Sequence, residues 1–261
     1  MANFLATLNA GLADPWIGGA AGALIGAIAG SFLATILIRW PQGRGALGGR
    51  SACDGCGRPL GARDLVPILS FLLARGRCRA CGARIDAAHP GMELAAATVG
   101  AAAFVALPMP VAAVSAGFGW WLLLLLALDA EHQWLPDRLT LPLIPIGLAI
   151  GWAGIGPPLL DRAIGAAAGG GVLWLIGRAY RALRSREGLG AGDPKLLAGI
   201  GAWLGWMQLP FVLLGAGLVG LAAILWMYAQ GREVAATTRL PLGAFLALAA
   251  WPLWLVAAAA H

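Results

Sequence analysis

The stretch WIGGAAGALIGAIAGSFLATILI, residues 16–38, decides the fold class of this chain. It contains no charged side chain, and about 20 apolar residues are enough for a helix to cross a bilayer. Its glycines recur every four residues from Gly18 to Gly30, on one helix face where a second helix can pack closely. Residues 1–15 contain no Lys or Arg and so lack the basic segment of a cleavable signal peptide. We therefore expect a retained membrane-spanning helix.

The composition of the whole chain agrees with a membrane protein. Of its 261 residues, 60% are hydrophobic and 11% are charged, whereas a soluble domain carries about 25% charged residues. This excludes a simple soluble enzyme, a disordered chain and a disulfide-rich secreted domain. The pattern predicts an all-α polytopic membrane protein with about eight spans. Further apolar segments follow the first one at 91–107, 111–128, 139–156, 163–180, 194–207, 209–229 and 241–260.

The positions of the 18 Lys and Arg residues predict the orientation in the membrane. If the segment after the first span is cytoplasmic, 17 of the 18 lie in cytoplasmic segments and Arg162 alone lies outside. The opposite orientation reverses this count, so the positive-inside rule favours the first arrangement, with both termini outside. The net charge of +6 thus reflects the basic residues of the cytoplasmic segments, and we expect no nucleic-acid partner.

All four cysteines lie in the one sizeable polar region, residues 39–90. Two CxxC pairs with 21 residues between them predict a zinc site, because this spacing lets the thiolates reach one tetrahedral ion. Metal binding would supply folding free energy to a loop that lacks a core of its own. The alternative is two disulfides, which are rare in a cytosolic loop. His89 is a spare candidate ligand that a four-thiolate site does not need. The four expected ligands are Cys53, Cys56, Cys78 and Cys81.

Two acidic motifs stand at predicted membrane boundaries. LDAEHQWLPD, residues 128–137, ends the third span, and GLGAGDPK, residues 188–195, opens the sixth. A carboxylate costs about 2.5–3.5 kcal/mol at the centre of a membrane helix and less near the interface, so Asp129 and Asp193 are candidates for function. If they meet, they can share a proton, with one as general base toward water and the other as general acid toward a scissile amide.

Each of these acidic residues also has a purely structural interpretation. Asp193 before Pro194 is a good helix N-cap. Asp129 would simply end the third span, and Asp137 beside Arg138 would form an interfacial ion pair. Together on one membrane face, beside a zinc loop, the carboxylates favour chemistry.

Five stretches, in family order between residues 30 and 206, resemble the type IV prepilin peptidase family. These are the bifunctional leader peptidases of type IV pilus and type II secretion systems. The stretches are GSFL through RWP (30–41), RGRCR within the cysteine loop (75–79), HPGMEL (89–94), LDAEHQWLPDRLTLP (128–142) and GLGAGDPKLLAGIGAWLG (188–205).

The resemblance implies an activity and the residues that carry it. Asp129 and Asp193 match the catalytic aspartates of the GxGD intramembrane aspartic proteases, with Gly190, Gly192 and Lys195 in the loop that supports the second aspartate. Members of the family cut prepilins or pseudopilins at the cytoplasmic membrane face and methylate the new N-terminal residue. The implied cofactors are Zn²⁺ and S-adenosylmethionine, and the implied location is the bacterial inner membrane. No substrate-binding residue is assigned.

We expect three parts in this chain and keep two other functions open. The parts are an N-terminal segment with the first span (1–38), a zinc-binding cytoplasmic domain (39–90) and a seven-helix membrane domain with the protease site (91–261). Nothing in the sequence resembles a glycine-rich methyl-donor fingerprint, so a GxGD peptidase without methyltransferase activity is one alternative. A proton- or cation-coupled transporter is the other, although transporter sites usually lie near the bilayer midplane rather than at its boundary.

Overall fold

The computed structural model describes residues 14–46, 48, 51–184, 188–233 and 239–260. The segment without basic residues at the start of the chain lies largely outside these ranges. Within them there is no β-strand, and only two isolated β-bridges occur. The expected all-α fold is thus confirmed. The helices are α1 (Pro15–Arg39), α2 (Leu69–Leu73), α3 (Ala88–Ala106), α4 (Val111–His132), α5 (Asp137–Thr140), α6 (Leu143–Trp152), α7 (Leu159–Arg184), α8 (Asp193–Leu204), α9 (Leu209–Ala229) and α10 (Leu242–Ala259).

All eight predicted apolar segments are helical, but they differ in length. In the described part of the chain, five helices are long and apolar enough to cross a membrane, namely α1, α4, α7, α9 and α10. Helices α6 and α8 have 10 and 12 residues, fewer than the roughly 20 that a span needs. The fourth segment is divided at Pro142, which is the N-cap of α6. The count of about eight spans is therefore not confirmed.

The chain divides into two compact units, Met1–Trp120 and Trp121–His261. In the first unit, α1 packs along α3 through the predicted glycine face. A Cβ atom on Gly26 would lie only 2.1 Å from the carbonyl oxygen of Ala96, so the two backbones are in direct contact. The Trp120 indole N–H also donates to that Ala96 carbonyl, at 2.9 Å. The glycine face is thus confirmed as a helix-packing surface.

The short helix α8 is the centre of the second unit. Every residue of α8 except Pro194 and Lys195 is buried, and α6, α7 and α10 pack around it. Its contact with α7 is backbone to backbone, since a Cβ atom on Gly201 would lie 2.1 Å from the carbonyl oxygen of Gly165. Asp193, the first residue of α8, is therefore attached to the most enclosed helix of the unit.

Arg162 is fully buried in the second unit and joins several of its elements. Its guanidinium lies 5.4 Å from the ring centroid of Trp254 on α10. Backbone carbonyl oxygens accept hydrogen bonds from the guanidinium N–H groups, which offsets part of the free-energy cost of burying the charge. The one basic residue predicted to lie outside thus serves to join α6, α8 and α10. Its carbonyl partners are Gly147, Ile155, Pro157 and Ala202.

Candidate functional site

The first predicted aspartate, Asp129, lies near the C-terminal end of α4 and is only 6% exposed. Its Oδ2 accepts a hydrogen bond of 2.8 Å from the backbone N–H of Ala244. Ala244 is in the first turn of α10, where backbone N–H groups have no partner within the helix. The helix dipole also favours a negative charge at this end. The start of the last long helix thus holds the carboxylate of Asp129.

The second predicted aspartate, Asp193, is also 6% exposed. Its Oδ2 accepts a hydrogen bond of 3.0 Å from the backbone N–H of Gly190, and its own N–H donates to the Gly190 carbonyl at 3.2 Å. The N-cap of α8 is Gly192, with no side-chain capping bond. The N-cap interpretation of Asp193 is therefore wrong, because its carboxylate turns back to the preceding loop instead of capping the helix.

The two aspartates meet at Gly243, near the start of α10. A Cβ atom built on Gly243 would lie 3.0 Å from Asp129 Oδ2 and 3.2 Å from Asp193 Oδ1. Because both distances start from one point, the two oxygens lie at most about twice 3.2 Å apart. A side chain at position 243 would be in tight contact with both carboxylates. The structure therefore brings together the two carboxylates that the sequence singled out.

Leu135, in the loop that follows α4, packs between Gly192 of the second acidic motif and Gly243 of α10. A Cβ atom on Gly192 would lie 2.5 Å from Leu135 Cβ, and one on Gly243 would lie 2.6 Å from Leu135 Cδ1. Gly192 thus lets the second acidic motif approach the first acidic motif closely. At Gly190 a Cβ atom would lie 3.0 Å from Asp193 Oδ2, so this glycine leaves room for the carboxylate.

Lys195 joins the two acidic motifs at their edge. Its Nζ lies 2.6 Å from Asp137 Oδ1, and both side chains are partly exposed. The predicted pair of Asp137 with Arg138 is therefore wrong. Adjacent residues on a helix point in different directions, whereas Lys195 approaches from the first turn of α8.

Sequence reasoning missed three residues of this site, namely Leu135, Gly243 and Ala244. Leu135 lies inside the first acidic motif, but its aliphatic side chain has no reactive group. Gly243 is one of 39 glycines, and nothing next to it in the sequence distinguishes it. Ala244 contributes only its backbone. Their roles depend on which helix has its N-terminus next to Asp129, and tertiary packing decides this.

The four predicted cysteine ligands form a cluster in the first unit. Their Sγ atoms all lie within 4.8 Å of one another, and those of Cys53 and Cys81 are 3.8 Å apart. Sulfur atoms bound at about 2.3 Å to one tetrahedral ion lie about 3.8 Å from each other, so the cluster fits a metal ion. All four cysteines are free, and His89 is not part of the cluster. Each pair closes a tight turn, in which Gly57 and Gly82 have φ of 68° and 72°.

The backbone favours the thiolate form within this cluster. The N–H groups of Cys81 and Ala80 lower the pKa of the Cys78 thiol to about 6, and the Ala80 nitrogen lies 3.5 Å from Cys78 Sγ. Metals bind the thiolate rather than the thiol. The Cys78 thiolate is therefore favoured, whereas hydrogen bonding to the thiols of Cys56 and the other cysteines raises the pKa of the Cys81 thiol to about 11.

Comparison with known proteins gives two family matches, one for each unit. The sequence model described as "Bacterial Peptidase A24 N-terminal domain" matches residues 24–107, within the first unit. The one described as "Type IV leader peptidase family" matches residues 116–225, almost all of them in the second unit. The acidic motifs and the cysteine pairs thus fall under different family models. No solved structure matches this chain significantly.

Curated relatives with the same name occur in several bacteria. The chain is similar to the prepilin leader peptidase/N-methyltransferase of Aeromonas salmonicida (strain A449), with 40% identity over 208 residues, 77% of this chain and 69% of the relative. It is 45% identical over 200 residues to the protein of that name from Burkholderia pseudomallei (strain K96243), with 76% and 64% covered. For the one from Neisseria gonorrhoeae the identity is 37% over 196 residues, with 71% and 65% covered.

Proposed function

This chain belongs to the type IV leader peptidase family, and on that premise we propose that it is a membrane-embedded aspartic endopeptidase. It removes the leader peptide of type IV prepilins or pseudopilins and N-methylates the new N-terminus. The observation that carries the proposal is the meeting of two buried carboxylates, Asp129 and Asp193, at a glycine that leaves them space.

In the proposed cleavage, the two aspartates hold one proton between them. Two carboxylates this close and this buried disfavour ionisation of both. The ionised carboxylate takes a proton from water as the water oxygen attacks the peptide carbonyl, and the protonated carboxyl donates its proton to the departing amine. Water is thereby added across the amide bond, and no covalent enzyme intermediate forms.

The surroundings of the pair support this chemistry. The N–H groups of Ala244 and Gly190 each hold one carboxylate in place, so little reorganisation is needed during the reaction. The absence of a side chain at Gly243 leaves room for both carboxylates and for Leu135 to pack against α10.

Two cofactors complete the proposal. The cluster of Cys53, Cys56, Cys78 and Cys81 binds a structural Zn²⁺, whose four thiolates leave no open position and which stabilises the surrounding loop. S-adenosylmethionine, when bound, supplies a methyl group to the free N-terminal amine, which loses one proton, and S-adenosylhomocysteine is released.

The proposed location is the bacterial inner membrane, with the cysteine loop and both aspartates on the cytoplasmic side. The partition of 17 of the 18 basic residues supports this orientation. The basic leader of a prepilin would then stay in the cytosol while its apolar helix remains in the bilayer. Cleavage between them places the scissile bond at the membrane boundary.

The two alternatives are less well supported. The relatives are named as N-methyltransferases as well as leader peptidases, which disfavours a peptidase without methyl transfer. No relative reported above is a transporter, and the site has the acid pair that hydrolysis requires. A proton- or cation-coupled transporter therefore has no specific observation in its favour.

Co-expression with a prepilin tests the proposal directly. Intact mass spectrometry of the pilin N-terminus reports cleavage position and methylation together. We expect a product that lacks its leader and carries one additional methyl group. A prepilin that keeps its leader contradicts the peptidase assignment, and a cleaved but unmethylated product contradicts the methyltransferase assignment alone.

A further inference from the structure

The short helix α2, in the same loop as the cysteines, has two apolar faces. Phe71 and Ala74 line a cleft within the first unit. Leu69, Leu72 and Leu73 do not line it, and they are 51%, 63% and 67% exposed. Positions three and four residues apart share one side of a helix, so these leucines form a single surface, here called the outer face of α2. An exposed apolar surface of this kind marks an interaction site.

Glu93 fastens the start of α2 to the packed helices α1 and α3. Its Oε2 accepts a hydrogen bond of 2.7 Å from the N–H of Ile68, the residue before α2. Glu93 lies on α3 opposite Gly30 of α1, where an added Cβ atom would be 2.6 Å from Glu93 Cα. The level of α2 along α1 therefore follows from the position of Gly30.

This level lies within the membrane-spanning part of α1. Trp16, at the start of α1, is 86% exposed, as is usual for an aromatic side chain at a membrane interface. A span of about 20 residues from Trp16 ends at about residue 36. Gly30 lies about 9 Å before that point, at a rise of about 1.5 Å per residue. An interfacial helix buries its apolar face about 5–10 Å deep, so α2 starts at the depth of such a helix.

Apolar side chains of α1 are exposed at the same level. Ile28 and Phe32, two residues before and after Gly30, are 58% and 45% exposed. The acyl chains of a bilayer are as apolar as a leucine side chain, and they are what such side chains contact on a membrane-spanning helix. Lipid is thus the apolar neighbour that is available to the outer face of α2.

Two arginines flank the outer face of α2 in the sequence. Arg63 lies six residues before Leu69, and Arg75 lies two residues after Leu73. Both are exposed, and none of the described carboxylates lies within 4 Å of either guanidinium. A guanidinium binds phosphate through two parallel hydrogen bonds, while its aliphatic stem can lie along apolar surface. The edges of the outer face thus carry the charge that complements an anionic lipid headgroup.

We propose that the outer face of α2 docks on the bilayer, with its three leucines among the acyl chains and Arg63 and Arg75 at the phosphate groups of anionic lipids. The cysteine loop then rests on the membrane instead of extending into solvent. The level of Ile68 and the flanking charges favour lipid over a prepilin helix or a second copy of this chain. The inference depends on the membrane-spanning fold and not on either proposed activity.

The first experiment maps lipid contacts in the wild-type protein. The full chain with its metal is placed, one copy per disc, in nanodiscs of phosphatidylethanolamine and phosphatidylglycerol that contain a lipid with a diazirine in its acyl chain. After irradiation, trypsin cuts behind Arg63 and Arg75, so residues 64–75 form one peptide. We expect lipid adducts on this peptide, at a yield per residue of at least about a third of that on peptide 1–39, which contains α1.

Peptide 51–63 is the internal control, because it carries the first CxxC pair but no exposed large apolar side chain among its residues. We expect at least fivefold fewer adducts on it than on peptide 64–75. Absence of lipid adducts on peptide 64–75 overturns the proposal. Equal yields on the two peptides also overturn it, because the adducts then report only that the whole loop is near the membrane.

The second experiment removes the apolar surface. Leu72 and Leu73 are exposed and do not line the cleft, so the double variant Leu72→Gln, Leu73→Gln should keep its fold and its zinc. We expect the adduct yield on peptide 64–75 to fall at least fivefold, with no change on peptide 1–39. Leu183→Gln, the same change at an 83% exposed position of α7, is the matched control. Wild-type yield in the double variant overturns the proposal, and if that variant loses zinc, the wild-type map decides.

Lipid charge and added prepilin test the remaining parts of the proposal. With phosphatidylcholine in place of phosphatidylglycerol, we expect the yield on peptide 64–75 to fall at least twofold. An equal yield in both lipids overturns the phosphate contacts of Arg63 and Arg75. Prepilin added to the discs should leave the yield unchanged. If prepilin instead abolishes the adducts and itself cross-links to peptide 64–75, the occupant of the outer face is the substrate, and the lipid proposal is wrong.

Discussion

The aspartate pair and the cysteine cluster both come from short sequence motifs, but they are held together in different ways. Asp129 and Asp193 are almost fully buried, and backbone N–H groups at Ala244 and Gly190 hold their carboxylates. The cysteines lie in turns of a partly exposed loop, in which no residue of α2 is buried. Helix packing positions the carboxylates, whereas we propose that a bound metal holds the loop together.

This difference implies that the two proposed activities can be separated. Changes near Asp193 should act on cleavage alone, and changes in the cysteine loop should act on methyl transfer.

The largest expected effect is the loss of cleavage in Asp129→Asn and in Asp193→Asn. An amide nearly matches a carboxylate in shape, but it cannot cycle between acid and base. We expect each variant to lower the cleavage rate by at least about 10³-fold, and the double variant to be little worse, because residues that act as a unit are not additive. Mass spectrometry of prepilin treated with the purified variant measures this.

Methylation of a pre-cleaved substrate should persist in both aspartate variants. Glu131→Gln, at an exposed position of the same loop, should keep near wild-type cleavage. Full cleavage by Asp193→Asn contradicts the aspartic-protease assignment. Loss of methylation together with cleavage contradicts the separation of the two activities.

The next largest effect is expected from removal of the metal. Cys53→Ser or Cys81→Ser removes one of four ligands, and a structural zinc contributes on the order of 10 kcal/mol to folding. We expect zinc, measured by plasma mass spectrometry, to be lost, together with S-adenosylmethionine binding and methyl transfer. Helix content by circular dichroism should remain, because backbone hydrogen bonds within membrane helices are internal.

Chelation followed by zinc return is the control for the cysteine variants, and it should restore binding. Cleavage should fall by less than methyl transfer in every case. Equal loss of both activities shows that the loop supports the peptidase site as well. Cysteines that resist alkylation until a reductant is added contradict the metal site and support the disulfide alternative.

The sequence predicted the fold class, the glycine face, the aspartate pair and the cysteine cluster, because each of them depends on a local pattern. The glycines of α1 follow the helical repeat, and the CxxC spacing is set by the reach of two thiolates. Asp129 and Asp193 were found because carboxylates beside apolar runs are rare. The meeting of the two aspartates was predicted as well. That the start of α10 holds Asp129 was not predicted.

What the sequence did not reveal depends on contacts between distant segments. The carbonyl partners of Arg162 belong to three different parts of the chain, and no local pattern connects them. The number of membrane spans was also not confirmed, because α8 is short and enclosed by other helices, and a buried helix is as apolar as one that faces lipid. Gly243 was missed because its importance lies in what a side chain would displace.

Gly243→Ala tests whether space at the aspartate pair matters. The added methyl group would lie 2.6 Å from Leu135 Cδ1, 3.0 Å from Asp129 Oδ2 and 3.2 Å from Asp193 Oδ1, so Leu135 must shift and the carboxylates must give way slightly. A displacement of about 1 Å can cost about 10²-fold in rate, and for this smaller displacement we expect a loss of about tenfold in prepilin cleavage. Methyl transfer and bound zinc should be unchanged.

Gly217→Ala is the matched control, since a Cβ atom at that helical position would meet nothing within 4 Å. It should cleave at the wild-type rate. Unchanged cleavage in Gly243→Ala means that the site tolerates a side chain there, and the importance we give to that position is then wrong.

The smallest expected effect concerns the ion pair between Lys195 and Asp137. Both side chains are partly exposed, and such pairs contribute about 0–1 kcal/mol to stability. We therefore expect Lys195→Met and Asp137→Asn each to lower cleavage by less than about tenfold, since the pair only fastens the first motif to α8. The double variant should be no worse than either single variant, because both remove the same contact. Rates from a prepilin time course measure this coupling. If Asp137→Asn loses as much cleavage as Asp129→Asn while Lys195→Met keeps most of its cleavage, Asp137 itself and not the ion pair is required, and the choice of partner for Asp193 is then wrong.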